Sequence, residues 1–340
     1  MRNLLCTLLL TVAATAWAQS PGVTEKSVDY YLPKTALRFA LLIEKTTFKS
    51  GPFTKYADRF FPGVPLLGTD GNTQYQIVNL GLSQIGLIDD SQLYSVKLRG
   101  KSVGADIRLS DAGQLLAINA EPRTDMEPKP PFQPAPRVHK HDGFYYLKAK
   151  LSDGEDDIML AQKAVDRIIV VQEKLRKLRR NEPVELAAGE NIEYLEDENK
   201  ALTALFLGSE ESDTTEQVVV IVPEREVQRE VMFRLDPHTG KVSTTATTGI
   251  PYYMTVEDTH SYPKPKYELP SNKREGCFFV KVPGKIKVTI HREDAFIASF
   301  PVYAAQFGFI EELSGSLFKN YKVSMVVNPV TGSVDRIRNE

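Results

Sequence analysis

The sequence predicts an α+β protein in which two antiparallel, sandwich-like β-rich units bracket an α-helical hairpin. Its only long helical signal lies at residues 156–206, where apolar residues recur every three or four positions. β-branched and aromatic runs separated by turn signals fill the stretches on both sides of it. Strand and helix signals do not alternate along the chain, so we expect antiparallel sheets rather than a parallel one.

Two apolar stripes, separated by the polar break Asn181-Glu182-Pro183, predict a helical hairpin within residues 151–210. A short break of this kind lets two helices pack antiparallel, each covering the apolar face of the other. Acidic residues precede the first stripe and basic residues crowd its far end, as the helix dipole favours. The stripes are Ala164, Ile168, Val171, Leu175 and Leu178, and then Ile192, Leu195, Asn199, Leu202 and Phe206.

Residues 1–18 have the pattern of a secretory signal peptide. Arg2 supplies the positive end, Leu4 to Ala16 supply the apolar core, and Ala16-Trp17-Ala18 is a small-x-small cleavage site. The apolar run is too short for a membrane anchor, and no later stretch is long and apolar enough to span a membrane. We therefore expect an exported protein of the periplasm or cell surface, without a transmembrane segment after cleavage.

The net charge limits the kinds of partner to expect, and the cysteine content limits the disulfides that can form. Cleavage removes the positive charge of Arg2, so the formal net charge of −2 becomes −3. A surface this close to balance gives no reason to expect nucleic acid or an anionic membrane as a partner. Cleavage also removes Cys6, which is poorly placed for lipidation. Cys277 is then the sole cysteine, and an intramolecular disulfide is excluded.

The N-terminal β-rich unit spans residues 19–150. It begins with a strand pair or one long strand within Tyr30–Phe48, and a short helix follows from Phe53. The Pro-rich segment at 121–141 predicts a semi-rigid connector or surface loop, and alternatively a docking motif for an aromatic groove. We expect a closing strand at Gly143–Lys150.

The C-terminal β-rich unit spans residues 211–340. Two similar turns, Asp236–Gly240 and Asn328–Gly332, each place an Asx-Pro pair before a Gly, which predicts two tight hairpins. After the first of these turns, Lys241–Thr248 is expected to pair back as a strand. Pro283-Gly284 is expected to form a further turn, which would divide the run after Cys277 into two strands.

The residues that could carry chemistry do not form a catalytic pattern. The sequence has no Gly-x-Ser-x-Gly elbow, no phosphate-binding glycine loop and no His-Glu-x-x-His pair. The closest approach to a metal cluster is His139, His141 and Asp142, which are solvated linker residues in the plainer interpretation. An acidic cluster at 153–157 lacks the alternating pattern of a calcium loop. We therefore predict no catalytic, cofactor-binding or metal-binding residues.

Several polar and aromatic residues leave alternatives open. His238, His260 and His291 each lack a sequence-near partner for nucleophilic work. Gln306 lies in an apolar strand, where it is expected to bond buried backbone or face solvent rather than bind a ligand. Three tyrosine pairs could be exposed platforms for sugars or proteins, although on strands one ring of each pair would face the core. These pairs are Tyr30-Tyr31, Tyr145-Tyr146 and Tyr252-Tyr253.

Six short motifs are spread over almost the whole mature chain: Tyr30–Thr35, Lys49–Phe53 with Tyr56-Ala57, Ala204–Gly208, Phe233–Leu235, Gly249–Tyr252 and Ala305–Gly308. Together they resemble an uncharacterised family of exported Bacteroidetes proteins, domain of unknown function family 4831. The resemblance implies export and a shared fold, and it brings no assigned activity, cofactor or catalytic residue.

The leading functional hypothesis is a non-catalytic exported envelope protein that binds another macromolecule, either a protein or a glycan. Export, β-rich architecture, the Pro-rich connector and the missing catalytic pattern all favour it. The alternative is an exported hydrolase that acts on glycans through paired carboxylates, whose separation a sequence cannot reveal. A self-associating structural component is a third possibility.

Overall fold

The computed structural model describes residues 26–68, 71–98, 105–123, 132, 141–148, 157–261 and 276–339. Its strands are β1 (Lys26–Lys49), β2 (Thr73–Leu98), β3 (Ile107–Leu109), β4 (Leu115–Ile118), β5 (Ser209–Ile221), β6 (Val227–Asp236), β7 (Gly240–Val242), β8 (Ile250–Asp258), β9 (Cys277–Arg292), β10 (Ala295–Ser314), β11 (Val323–Val327) and β12 (Val334–Asn339).

The paired strands run antiparallel and form three sheets. The strand orders are β2-β1-β5, β10-β9-β8-β6-β7 and β12-β11-β4-β3. Two of these sheets combine strands from before and after the helical hairpin, because β5 pairs with β1 and β11 pairs with β4. The predicted α+β class with antiparallel sheets is confirmed. Of the two alternatives for Tyr30–Phe48, a strand pair or one long strand, the structure has the long strand, as part of β1.

Strand β1 contributes to two hydrophobic cores through different parts of its length. In the first core, Leu37, Phe39, Leu41 and Ile43 pack against apolar residues of β6, β8, β9 and β10. In the second, Tyr30 and Leu32 pack with residues of β4, β9, β10 and β11. The Tyr30 hydroxyl accepts a 2.7 Å hydrogen bond from the Phe279 amide, and burial raises the pKa of this phenol.

The helices are α1 (Ala57–Phe60), α2 (Gly143–Leu147), α3 (Asp157–Arg179) and α4 (Ile192–Leu207). The predicted hairpin is confirmed as α3 and α4, which pack together through buried residues of both stripes. A 3-10 turn at Thr54–Tyr56 precedes α1 and completes the short helix expected after Phe53. The segment Phe53–Phe61 and helices α2, α3 and α4 share one apolar core, and we call them the helical unit.

The helical unit joins the sheets at the ends of β1 and β5. Two residues after Gly51, the Phe53 amide donates to the Leu205 carbonyl at 2.8 Å. A Cβ at Gly51 would lie 2.2 Å from that carbonyl oxygen, so only glycine allows this close approach. The chain passes from α4 into β5 through Gly208, which follows the last residue of α4 and has a φ of 87°.

Three strand predictions were wrong in type or extent. Gly143–Lys150 was expected as a strand, but residues 143–147 form α2. Pro283-Gly284 was expected as a turn, but β9 runs through it, and β10 shifts register opposite, between Ala304 and Phe309. The missing Pro283 amide hydrogen therefore falls where the ladder is already interrupted. Lys241–Thr248 pairs back only as far as Val242.

Some predictions concern residues outside the described part of the chain. They are the leader at 1–18, most of the Pro-rich segment, His139, and the acidic residues before Asp157. Within the described residues, no helix is both long enough and apolar enough to cross a membrane.

Candidate functional site

Helix α2 presents an exposed aromatic group on the surface of the helical unit. The Asp142 carboxylate accepts a 2.9 Å hydrogen bond from the Tyr145 amide and so caps the start of α2. Gly143 presses against α4, where a Cβ would lie 2.6 Å from Leu205 Cγ. Phe144 packs against the core of the helical unit, and its ring centroid lies 5.9 Å from that of Phe53 in an edge-to-face arrangement. These contacts fix α2 so that Tyr145 is exposed and Tyr146 is partly buried against the helical core.

Four rings form what we call the aromatic surface: His141, Tyr145, Tyr146 and Tyr194. The His141 and Tyr145 rings stack at 3.6 Å with an angle of 8° between their planes. Tyr146 meets Tyr145 edge to face at 5.3 Å and meets Tyr194 of α4 at 5.6 Å. Tyr145 remains 54% exposed, so a large part of its ring is open to a binding partner.

A network of ion pairs lies behind the aromatic surface and holds α3 against α4. Arg167 donates to both carboxylate oxygens of Glu198, at 2.6 and 2.9 Å, and contacts Glu190 at 3.4 Å. Lys174 also pairs with Glu190, which accepts a further hydrogen bond from the Ala187 amide. Glu198 is 1% exposed, so a paired guanidinium is what makes its burial tolerable.

The electrostatics of the site keep the Tyr146 and Tyr194 hydroxyls protonated and the nearby Glu190 carboxyl group ionised. Burial, and then the charge of Asp197, raises the pKa of the Tyr146 phenol. Burial and the nearby Glu198 raise the pKa of Tyr194 in the same way. The Lys174 ammonium, followed by the Ala187 amide, lowers the pKa of Glu190. At neutral pH the surface therefore offers phenol hydroxyls as hydrogen-bond donors and ring faces for stacking.

Of the three residues considered as a metal cluster, His141 and Asp142 lie in the described part of the chain, and both make other contacts there. The His141 ring stacks on Tyr145, and the Asp142 carboxylate caps α2. In the described part of the chain, no three His, Cys, Asp or Glu residues are grouped to hold a metal ion. His141 is therefore assigned to the aromatic surface.

His260 pairs with Asp258, two residues earlier in the sequence, and its lack of a sequence-near partner for nucleophilic work stays a prediction. Its Nδ1 lies 3.3 Å from Asp258 Oδ2, and its backbone amide donates to Asp258 Oδ1 at 2.8 Å. The two residues line a shallow, solvent-open recess with Ser261, Gly284 and the bulge of β10. The recess has room for no more than about one water molecule, so it is too small for a ligand site. His238 and His291 lie elsewhere, at a turn and in β9.

Gln306 forms hydrogen bonds to buried backbone groups, which was one of the two roles predicted for it. Its side chain accepts from the Thr35 amide at 3.0 Å and donates to the carbonyls of Thr35 and Pro223, both at 2.9 Å. The side-chain hydroxyl of Thr35 accepts from the Ala305 amide and donates to the Val330 carbonyl. Gln306 therefore joins β10 to β1 and to the chain after β5.

The tyrosine pairs differ in their exposure. Tyr30 and Tyr252 are buried while their neighbours are partly exposed, as alternation on a strand predicts. Tyr145-Tyr146 lies on a helix instead, so both rings reach the aromatic surface. The contribution of Tyr194 was missed, because this contact joins residues far apart in sequence.

The fold and the site define an α+β protein that carries an exposed aromatic surface on a helical unit. The family described as Domain of unknown function (DUF4831) matches residues 26–335, and the chain belongs to this family. The match confirms the family resemblance read from the short motifs. Comparisons with curated proteins and with solved structures found no match.

Proposed function

We propose that this chain is a non-catalytic, exported envelope protein that binds another macromolecule through its aromatic surface. The leader pattern at residues 1–18 and the family resemblance support export and a Bacteroidetes origin. The exposed Tyr145 ring, stacked on His141 and held by the capped helix α2, is the observation that carries the binding role. Tyrosine is enriched where binding energy concentrates, because its ring offers a large apolar area and a polar end.

The arrangement suits a flat partner group, such as a sugar ring or an aromatic side chain. His141 covers one face of Tyr145, Tyr146 meets Tyr145 edge to face, and Tyr194 extends the group by its contact with Tyr146. Their hydroxyls can donate hydrogen bonds to the partner. Because the rings contact one another and α2 is packed on α4, little side-chain freedom remains to be lost on binding.

The described carboxylates behind this surface do not favour the glycan hydrolase alternative. Hydrolysis needs one carboxyl group that holds a proton and a second that is ionised. Glu190 has a lowered pKa, and Glu198 is bound on both oxygens by Arg167. Both groups are engaged in structural ion pairs, which leaves binding as the better supported function.

Binding is tested with the mature chain, residues 19–340, and its Tyr145→Ala variant. The probes are peptidoglycan sacculi and envelope polysaccharides in co-sedimentation, and native envelope extract in a pull-down. Losing a central interface tyrosine costs about 2 kcal/mol, so we expect roughly 30-fold weaker binding. Tyr303→Ala is the matched control, because Tyr303 is 44% exposed on β10.

Two results would contradict the proposal. Equal binding by the Tyr145→Ala and Tyr303→Ala variants would exclude the aromatic surface as the binding site. Turnover of a polysaccharide that a single Asp or Glu substitution abolishes would establish the hydrolase instead.

A further inference from the structure

Strand β5 forms an edge of its sheet that remains exposed. Its thirteen residues pair with β1 along their whole length, from Ser209 opposite Lys49 to Ile221 opposite Leu37. On its other side, no strand in the described part of the chain pairs with it. The side chains of Val218 and Val220 are 39% and 49% exposed. A long edge of this kind offers free amide and carbonyl groups to another strand.

The two halves of β5 differ in charge. The half that begins at Ser209 carries four carboxylates, and two of them pair with β1, Glu211 with Lys49 and Glu216 with Arg38. The second half, Gln217–Ile221, carries no charge and is β-branched at four of its five positions. Charged residues normally protect sheet edges from pairing. This protection ends at Glu216.

We propose that Gln217–Ile221 pairs antiparallel with the same segment of a second copy of this chain. A two-fold axis at Val219 places Val218 of each copy opposite Val220 of the other, on the exposed face. The three-stranded sheets of the two copies then continue into one six-stranded sheet. On the other face, where Val219 and Ile221 pack against the first hydrophobic core, Val219 lies opposite Val219 of the second copy and Ile221 lies opposite its Gln217.

The charge distribution and the shape of the chain favour a second copy over a foreign strand. In the antiparallel arrangement the acidic halves extend in opposite directions, so their carboxylates do not face each other. The helical unit joins β5 at Ser209, about 26 Å from Gln217 at the usual rise of a strand. The two helical units therefore lie at opposite ends of the dimer, and neither obstructs the pairing.

A five-residue pairing buries little area, so the expected dimer is weak and depends on concentration. Sedimentation velocity of the mature chain between micromolar and submillimolar concentration tests this. The variant V218K/V220K places charges on the uncharged edge, and we expect self-association at least tenfold weaker. The matched control T214K/T215K adds the same charges to exposed positions in the acidic half of β5 and is expected to keep the dimer.

Cysteine cross-linking tests the register without relying on the lysine variant. In the double variant V218C/V220C, each new cysteine faces its counterpart across the pair, within disulfide reach. We expect covalent dimers on oxidation. The single variants V218C and V220C place the two thiols diagonally, about 8 Å apart, and are expected to form no covalent dimer on oxidation. Cys277 stays unchanged throughout.

Three outcomes overturn the proposal. The first is a monomer at every concentration. The second is a dimer that V218K/V220K does not weaken. The third is cross-linking by the single variants as efficient as by the double variant, which would show a different register.

Discussion

At the scale of single residues, Gln306 connects parts of the chain that lie far apart in sequence. Its amide replaces missing backbone partners at the point where β10 leaves its register with β9. Thr35 in β1 would otherwise have an unpaired amide and carbonyl inside the protein. A buried backbone group without a partner costs more than a hydrogen bond contributes, so the side chain is required for stability.

The first stability prediction concerns the substitution Gln306→Ala. It removes three hydrogen bonds and leaves buried backbone groups of Thr35 and Pro223 unpaired. We expect a decrease of about 3 kcal/mol in the free energy of unfolding, measured by urea denaturation and circular dichroism. Gln76→Ala is the control, because that side chain only reaches Glu44 at the surface. Equal losses in the two variants would disprove the structural role.

At the scale of elements, the ion pairs between α3 and α4 link the stability of the helical unit to pH. Lys174 lowers the pKa of Glu190, so the native state favours the ionised carboxylate. A group with a lowered native pKa stabilises the protein above its unfolded pKa. That contribution is lost as the pH falls through the native value. The helical unit should therefore weaken in acid.

The substitution Glu190→Gln tests this dependence. We expect the variant to be less stable than the native chain by about 1 kcal/mol at pH 7, a figure reduced for the partial exposure of its cationic partners. The difference should shrink towards pH 3, where the native carboxyl is protonated as well. Unfolding is followed by helical circular dichroism at both pH values. Glu196→Gln, in an exposed pair with Arg179, is the control. A difference that does not change with pH would contradict the linkage.

The elements also show where sequence patterns are sufficient. Helices α3 and α4 are predictable because each carries an apolar stripe long enough to define its period. Helix α2 has five residues, and its Tyr-Tyr pair suggests a strand. Two contacts favour the helix instead: Asp142 caps its first turn, and Gly143 lies close to α4. The second is a tertiary contact, which a local sequence pattern does not contain.

The candidate site was predictable only in its parts. Tyr145-Tyr146 stands out as an aromatic pair, and His141 stands out as a polar residue near the end of a linker. Their association with Tyr194 depends on how α2 packs on α4, which no local pattern contains. The proximity of His260 to Asp258 is different, because the spacing of two residues is visible in the sequence.

At the scale of the whole molecule, β1 unites the sheets, and the helical unit has a core of its own. Side chains of β1 enter both sheet cores. The buried residues of the helical core come from α3, α4 and the segment after Gly51, and none of them lies on a described strand. A disturbance in β1 should therefore reach all the sheets, whereas one in the helical core should remain local.

The last prediction compares Phe206→Ala with Phe39→Ala by native-state amide hydrogen exchange. Both side chains are fully buried, and each truncation is expected to cost about 3–5 kcal/mol. Phe206→Ala should speed exchange in α3 and α4 while the amides of β1 and β9 keep their protection. Phe39→Ala should instead speed exchange in β1 and in the five-stranded sheet together. Loss of protection in β1 by the Phe206 variant, equal to that in α4, would show that the helical unit and the sheets unfold as one.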